Sequence, residues 1–248
     1  MKKIGIIGGS GLEKLDLFTN KKEINHSTQY GSPSSTIFSG IIDENEIMII
    51  SRHGRRHNIP PTQVNNKANI LALKQLGCSH IIATTACGSL RENIKRGDMV
   101  ILDQFIDFTR HREITYTKKF EDDEPVHTPM AEPFDEILRK HLCDCAESLQ
   151  LSHHKKGTVV TIEGPRFSTR AESNMFRIWG ADVINMSTAP ECALANEAGI
   201  PYAAIALSTD YDCWKTDEAP VTWEEVLKVF QKNVENVTKL LLLAISKI

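Results

Sequence analysis

The chain has 248 residues, 41% of them hydrophobic, with 29 basic against 32 acidic side chains and a formal net charge of -3. That length suits a single large domain around one continuous core, and the balanced charge lacks the concentrated basic face that nucleic acid or an anionic membrane calls for. No apolar run reaches the roughly 18 to 20 residues needed to span a bilayer and the start lacks a cleavable leader pattern, so the sequence reads as a soluble, cytoplasmic protein with a small-molecule partner.

Lys3 to Gly8 reads as a short β-strand that breaks into Gly8-Gly9-Ser10-Gly11. Thr36 to Ile42 and Glu46 to Ser51 read as two strands joined by a polar turn, and the second delivers Arg52-His53-Gly54-Arg55-Arg56-His57 to its end. The spacing of Val64, Ala68, Ile70, Leu71, Leu73 and Leu76 predicts a helix closed by Gly77. A buried strand from His80 to Thr85 follows and empties into Ala86-Cys87-Gly88-Ser89; Met99 to Leu102 is another strand. Arg110 to Glu132 is polar, aperiodic and long for an internal loop, the pattern of a functional lid. After Pro133 an amphipathic helix carries Phe134, Ile137, Leu138, Leu142, Cys145 and Leu149 on one face. Then come a strand at Thr158 to Ile162, a helix at Thr169 to Trp179, a strand at Val183 to Met186, a helix at Glu191 to Ala198, a strand at Ala203 to Leu207 and a long helix at Thr222 to Ile245. This alternation predicts an α/β fold, one domain with a central mixed sheet flanked by helices.

The six cysteines are scattered and read as small apolar fillers; Cys143-Asp144-Cys145 has no second pair or histidine at zinc spacing, so no metal site is assigned. The glycine loop lacks the G-x-G-x-x-G spacing of a dinucleotide fold, leaving an anion cradle and a plain tight turn as alternatives. Arg52 and His53 at a strand end supply donors suited to phosphate oxygens, whereas Arg55, Arg56 and His57 read as a solvated basic loop. Thr84 and Ser89 read as strand-end caps, and His153-His154 with Lys155-Lys156 as a wet surface turn. Phe167 either stacks on a base or ribose or is a core ring at a helix start. Asp210 and Asp212, two apart, share a face of an extended strand unless they form Asx turns. Together with Asn185-Met186-Ser187-Thr188 at another strand end, they place hydroxyls and carboxylates where α/β sheets bind ligands, which points to an enzyme.

Several blocks resemble the signature sequences of the methylthioadenosine phosphorylases, a branch of the trimeric purine nucleoside phosphorylase family. They are Gly5-Ile6-Ile7-Gly8-Gly9-Ser10-Gly11-Leu12, Arg52-His53-Gly54-Arg55, Thr84-Thr85-Ala86-Cys87-Gly88-Ser89-Leu90, Glu163-Gly164-Pro165-Arg166-Phe167-Ser168 and Asp210-Tyr211-Asp212-Cys213-Trp214. The similarity covers nearly the whole chain and implies a partly barrel-like sheet, no cofactor, and inorganic phosphate as co-substrate of a nucleoside. By the same resemblance phosphate is held by Ser10, Arg52, His53, Thr85, the backbone of Ala86, and Ser187. The nucleoside is addressed by Phe167, Ser168, Met186, Tyr211, Val226 and Trp223, with Asp210 and Asp212 at the purine and His127 lent to a neighbouring site of a homotrimer. Trp223 stands where the family has small apolar residues, and the chain stops at Ile248 where longer members continue, so the pocket for the 5' substituent is expected to be reshaped.

The chemistry implied is phosphorolysis of an N-glycosidic bond. Cleavage develops positive charge on the sugar and negative charge on the departing purine, so clamped phosphate and an acid at N7 serve both. Asp210 is the candidate acid, which requires a pKa raised from its usual value near 3.9, and Asp212 the acceptor for a 6-amino group. Two carboxylates favour adenine over a 6-oxopurine; a phosphorylase for methylthioinosine or inosine and a non-catalytic nucleotide sensor are the competing readings.

Overall fold

The computed structural model describes residues 1–8, 18–120, 125–217 and 222–248, with the backbone alone at Trp223, Phe230 and Lys232. Among these residues eleven strands form one sheet: β1 (Lys3–Gly8), β2 (Thr19–Ile24), β3 (Ile37–Ile42), β4 (Asn45–Ser51), β5 (His80–Ser89), β6 (Met99–Ile101), β7 (Gln104–Phe108), β8 (His153–His154), β9 (Thr158–Ile162), β10 (Val183–Asn185) and β11 (Tyr202–Asp210). Five α-helices are α1 (Asn66–Gln75), α2 (Glu136–Ser148), α3 (Arg170–Ile178), α4 (Thr188–Glu197) and α5 (Trp223–Lys247). None of the described helices is long and apolar enough to cross a membrane.

Alternation within the apolar runs explains the layers. Met48 and Ile50 of β4, Ile81 of β5 and Ala204 and Ala206 of β11 enter one core cluster; Ile47, Ile49, Ile82, Ala203, Ile205 and Leu207 enter the other. A strand covered on both faces needs apolar residues at every position, which is why these segments lack a polar alternation. Ile70 and Leu73 of α1 with Cys192 and Leu194 of α4 cover the first face, and Leu138 and Leu142 of α2 with Val237, Leu240 and Leu241 of α5 the second.

The sheet forks at β5. Its first half pairs parallel with β1 (Ile4↔His80 to Ile7↔Ala83), its end pairs antiparallel with β10 (Ile184↔Gly88, Val183↔Ser89), and β11 runs parallel along its length. β1 and β10 leave on the same side at different heights, so the sheet opens between them above Ala83. The β11 register slips between Ser208 and Asp210, and this bulge sets Asp210 opposite Gly88.

Several elements differ from the sequence expectation for identifiable reasons. β2 is an exposed edge strand, Thr-Asn-Lys-Lys-Glu-Ile, whose lysines suit an edge and erase any apolar signal. β8 replaces the expected wet turn: it pairs with β6, and His154 Nε2 is 3.0 Å from Asp98 Oδ2. β7, also unforeseen, pairs parallel with β9. α4 begins at Thr188 rather than Glu191 because Pro190 falls in its first turn, where a missing N–H costs nothing. β5 and β11 continue past their apolar stretches to Ser89 and Asp210, carrying polar residues into the fork.

Candidate active site

Above the fork lies a cavity of about 530 Å³. Its walls come from the ends of β4 (Arg52, His53), β5 (Thr84 to Gly88), β10 (Ile184, Asn185) and β11 (Thr209, Asp210), completed by Met186, Ser187, Phe167, Ser168 and Asp212. Residues distant in sequence converge here because strand ends do.

One sector is rich in hydroxyl and amide groups. Thr85 Oγ1 lies 3.2 Å from Ser187 Oγ and accepts from Asn185 Nδ2 at 3.3 Å. Asn185 is itself fixed by Thr161, whose hydroxyl donates to Asn185 Oδ1 at 2.8 Å. Ser187 is the N-cap of α4, yet its side chain makes no capping bond, unlike Asn65, Asp135, Thr169 and Thr222 at the other helix starts. The Ser187 hydroxyl is thereby left to the cavity, beside the positive end of α4.

Arg52 is 3% exposed, and its guanidinium is largely committed to the protein. Nε pairs with Glu191 Oε1, Nη2 with Glu191 Oε2 at 3.1 Å and with the Ile7 carbonyl at 3.4 Å, and Nη1 with the Thr84 carbonyl at 2.9 Å. Glu191 is fully buried and also accepts from the Tyr202 hydroxyl at 2.8 Å. The expectation that Arg52 offers its donors to phosphate is therefore narrowed: among the described residues four of its five N–H groups meet protein acceptors, because a buried cation must be paired, and one, on Nη1, does not. His53 turns Nδ1 to the Ile59 carbonyl at 2.9 Å, and burial followed by the charge of Arg52 pushes its pKa down to about 4.

The second sector holds the carboxylates. Asp210 accepts from the Thr209 hydroxyl and from the backbone N–H of Asp212, both at 2.8 Å, yet burial drives its pKa up to about 6, with the Asp212 charge adding to the rise. Gly88 makes room for it: a Cβ there would lie 2.8 Å from Asp210 Oδ1 and 3.0 Å from Ile184 Cγ2. Asp212 has φ of 50°, a conformation that Asp tolerates better than most residues, and both its oxygens accept from Ser168 Oγ, at 2.8 and 2.7 Å. Burial raises its pKa as well. Phe167 stands at the rim, 44% exposed, which excludes the reading as a core ring. Met186 is pressed against the turn at Gly164, where a Cβ would come within 2.5 Å of Met186 Sδ.

Other expected residues fall elsewhere. Tyr211 does not line the cavity: β11 ends at Asp210, and in the turn that follows Tyr211 packs against Trp214, with Arg96 and Lys215 over its ring at 5.7 and 4.1 Å. His127 is exposed, its ring 5.4 Å from that of Phe120, and is not on this wall. Ser10 and the side chain of Trp223 lie outside the described residues. Val226 does line the cavity, joined by Leu227, Gln231 and Val234 from the same α5 face, which their i, i+4, i+7 spacing would have revealed. Arg56, His57 and Thr84 also reach the cavity rather than serving solely as a solvated loop and a cap. Glu191 carried no local sequence signal beyond lying one helical turn after Ser187. Among the described residues no group of three His, Cys, Asp or Glu side chains could hold a metal.

Comparison with known proteins adds to this geometry. The model of the phosphorylase superfamily matches residues 3–246. S-methyl-5'-thioadenosine phosphorylase of Xenopus tropicalis is 53% identical over 99% of this chain and 89% of its own, and that of Ciona intestinalis 52% identical over 98% and 88%. Among solved structures, methylthioadenosine phosphorylase from Schistosoma mansoni in complex with adenine superposes with a TM-score of 0.93 at 42% identity, covering 99% of this chain and 91% of that one. A mutant of the Schistosoma adenosine/methylthioadenosine phosphorylase in complex with methylthioadenosine gives a TM-score of 0.92 at 42% identity, with the same coverage.

Proposed function

Because the chain belongs to the phosphorylase superfamily and, within it, to the S-methyl-5'-thioadenosine phosphorylase family, we propose that it cleaves S-methyl-5'-thioadenosine with phosphate to adenine and 5-methylthioribose 1-phosphate. The observation that carries this reading is a buried carboxyl poised to hold a proton, sharing one cavity with a cluster of oxyanion donors. Thr85 and Gly88 are three residues apart on β5, so the two sectors are separated by about 10 Å, a span that a ribosyl group can bridge.

Phosphate takes the sector of Thr85, the Ala86 backbone, Ser187, Arg52 and His53; the family resemblance adds Ser10, which lies outside the described residues. Its charge stabilises the cationic sugar, and one of its oxygens bonds to C1' as the bond to N9 breaks. Asp210 gives its proton to N7, so the base departs neutral; Asp212, steadied by Ser168, accepts from the 6-amino group. A 6-oxopurine would set its carbonyl oxygen against that carboxylate. Phe167 and Met186 bracket base and ribose, and Val226, Leu227 and Val234 give the 5' substituent an apolar wall. No cofactor or metal enters these steps. The same reading has a homotrimer in the cytoplasm, with His127 lent to a neighbour's cavity, returning adenine and the methylthiosugar to purine and methionine salvage.

Initial rates with methylthioadenosine, adenosine, methylthioinosine and inosine, each with and without phosphate, test it. The expected result is phosphate-dependent adenine release with the highest kcat/KM for methylthioadenosine. Preference for the 6-oxo nucleosides would overturn the role of Asp212, and binding without turnover would make the protein a sensor.

A further inference from the structure

The hydrogen-bonding sense of one group in the oxyanion sector is fixed by its surroundings. His53 forms part of the cavity wall, with Nδ1 2.9 Å from the Ile59 carbonyl oxygen. A carbonyl oxygen can only accept, so Nδ1 carries the ring proton and the neutral ring presents a bare lone pair at Nε2. Among the described residues no hydrogen bond to Nε2 is found. Burial, then Arg52, then His57 and Arg112 all disfavour a second proton on this ring; the Ile59 carbonyl acts the other way and does not prevail. The charge of Arg52 is meanwhile balanced by Glu191. Among the described residues this sector therefore combines donors, from one Arg52 N–H and the Ser187 hydroxyl, with an obligate acceptor at His53 Nε2, while the Thr85 hydroxyl donates to the Ala86 carbonyl at 3.0 Å.

We propose that His53 reads the proton of the oxyanion: the cavity takes hydrogen phosphate with its P–OH donated to His53 Nε2, and it discriminates against an oxyanion of equal shape and charge that lacks this proton. The proposal rests on the phosphorolytic reading above. Sulfate is such an oxyanion, a tetrahedral dianion whose oxygens can only accept, so it would set lone pair against lone pair at Nε2. Leaving a buried acceptor unsatisfied in this way corresponds to roughly a ten- to hundredfold loss of affinity. Arsenate keeps the proton and should be accepted. The proton stays on phosphorus-bound oxygen through the reaction: an unprotonated oxygen bonds to C1', the C1'–N9 bond breaks, and Asp210 protonates N7. The sugar phosphate leaves as a monoanion that loses its P–OH proton to solvent, while Asp210 takes a proton up.

Calorimetric titration of the intact protein with phosphate, arsenate and sulfate, above the second ionisation of phosphate and in two buffers of different ionisation enthalpy, tests this. Sulfate should bind about ten to a hundred times more weakly than phosphate, arsenate within several-fold of it, and phosphate should bind without net proton uptake. In His53→Leu the gap between phosphate and sulfate should shrink to roughly threefold or less, since the acceptor is gone. Equal affinities in the wild-type protein, uptake of a proton on binding, or an undiminished gap in His53→Leu would each overturn the proposal; the wild-type comparisons stand if the variant does not fold. Failure of the underlying reading has a different signature, namely no phosphate-dependent release of adenine by the wild-type protein.

Discussion

Asp210→Asn exchanges one carboxylate oxygen for an NH2 group in a pocket built around the other. Asp210 is 7% exposed, and burial lifts its pKa from 3.8 to about 6. With the folded pKa above the unfolded one, the native state binds more protons between those two values, so stability is greatest below the lower value and declines as pH rises through about 6. A rise of about 2 units corresponds to about 3 kcal/mol of burial penalty for the carboxylate at pH 8. Asn cannot ionise, and its amide can keep the bond from the Asp212 N–H while donating to Thr209 Oγ1, which turns its own hydrogen to the Cys87 carbonyl at 3.1 Å. The variant should therefore be more stable than the wild type at pH 8 by up to about 3 kcal/mol, a gain of several degrees in Tm, with the advantage vanishing near pH 4. Activity should move the opposite way. Loss of the proton donor should lower kcat for adenine release by roughly 10²- to 10⁴-fold, while inosine is relatively favoured because an amide can donate to a 6-oxo group. Denaturant unfolding across pH, paired with initial rates on both nucleosides, reads both effects. A variant less stable at pH 8, or one whose kcat falls by less than about threefold, would remove Asp210 from the role assigned to it.

Three further substitutions probe other parts of the cavity. Arg52→Ala leaves the fully buried Glu191 without its cation, so unfolding free energy should fall by about 3–5 kcal/mol and the phosphate KM should rise more than the nucleoside KM; equal shifts in both would contradict an oxyanion role. Gly88→Ala puts a Cβ 2.8 Å from Asp210 Oδ1, and a displaced acid should cost at least about tenfold in kcat with little change in phosphate KM; wild-type rates would show that the close approach is immaterial. Ser168→Ala removes the hydroxyl that bonds Asp212, and an adenine-nucleoside KM raised roughly tenfold is expected from the loss of a charge-assisted bond, against no change if Asp212 is positioned by other groups.

The parts of this molecule legible in its sequence are those where burial dictates residue type locally. The strands at Ile47 to Ile50, Ile81 to Ala83 and Ala203 to Leu207 are covered on both faces, so their apolar runs admit few other readings. The apolar stripe of α5 is equally plain, whereas Asp210 and Asp212 meet not on a shared strand face but through the alternative Asx turn, with the Asp212 N–H donating to Asp210 Oδ1 just past the end of β11. Reading Asp210-Tyr211-Asp212 as one site block misplaces Tyr211, which packs against Trp214 in the turn beyond the strand. Edge strands such as β2 left no trace because exposed backbone tolerates polar side chains. Glu191 was hidden for another reason: its partners Arg52 and Tyr202 lie 139 and 11 residues away, and only the packed sheet discloses that a glutamate in an ordinary helix is fully buried.

In the proposed reaction phosphate, and not water, attacks the sugar while Asp210 protonates the base. Following a reaction of methylthioadenosine with the protein by phosphorus NMR, alongside quantitation of adenine, measures this directly. One 5-methylthioribose 1-phosphate is expected for each adenine released, and no adenine when phosphate is withheld. Adenine formed at an undiminished rate without phosphate, accompanied by free methylthioribose, would contradict it.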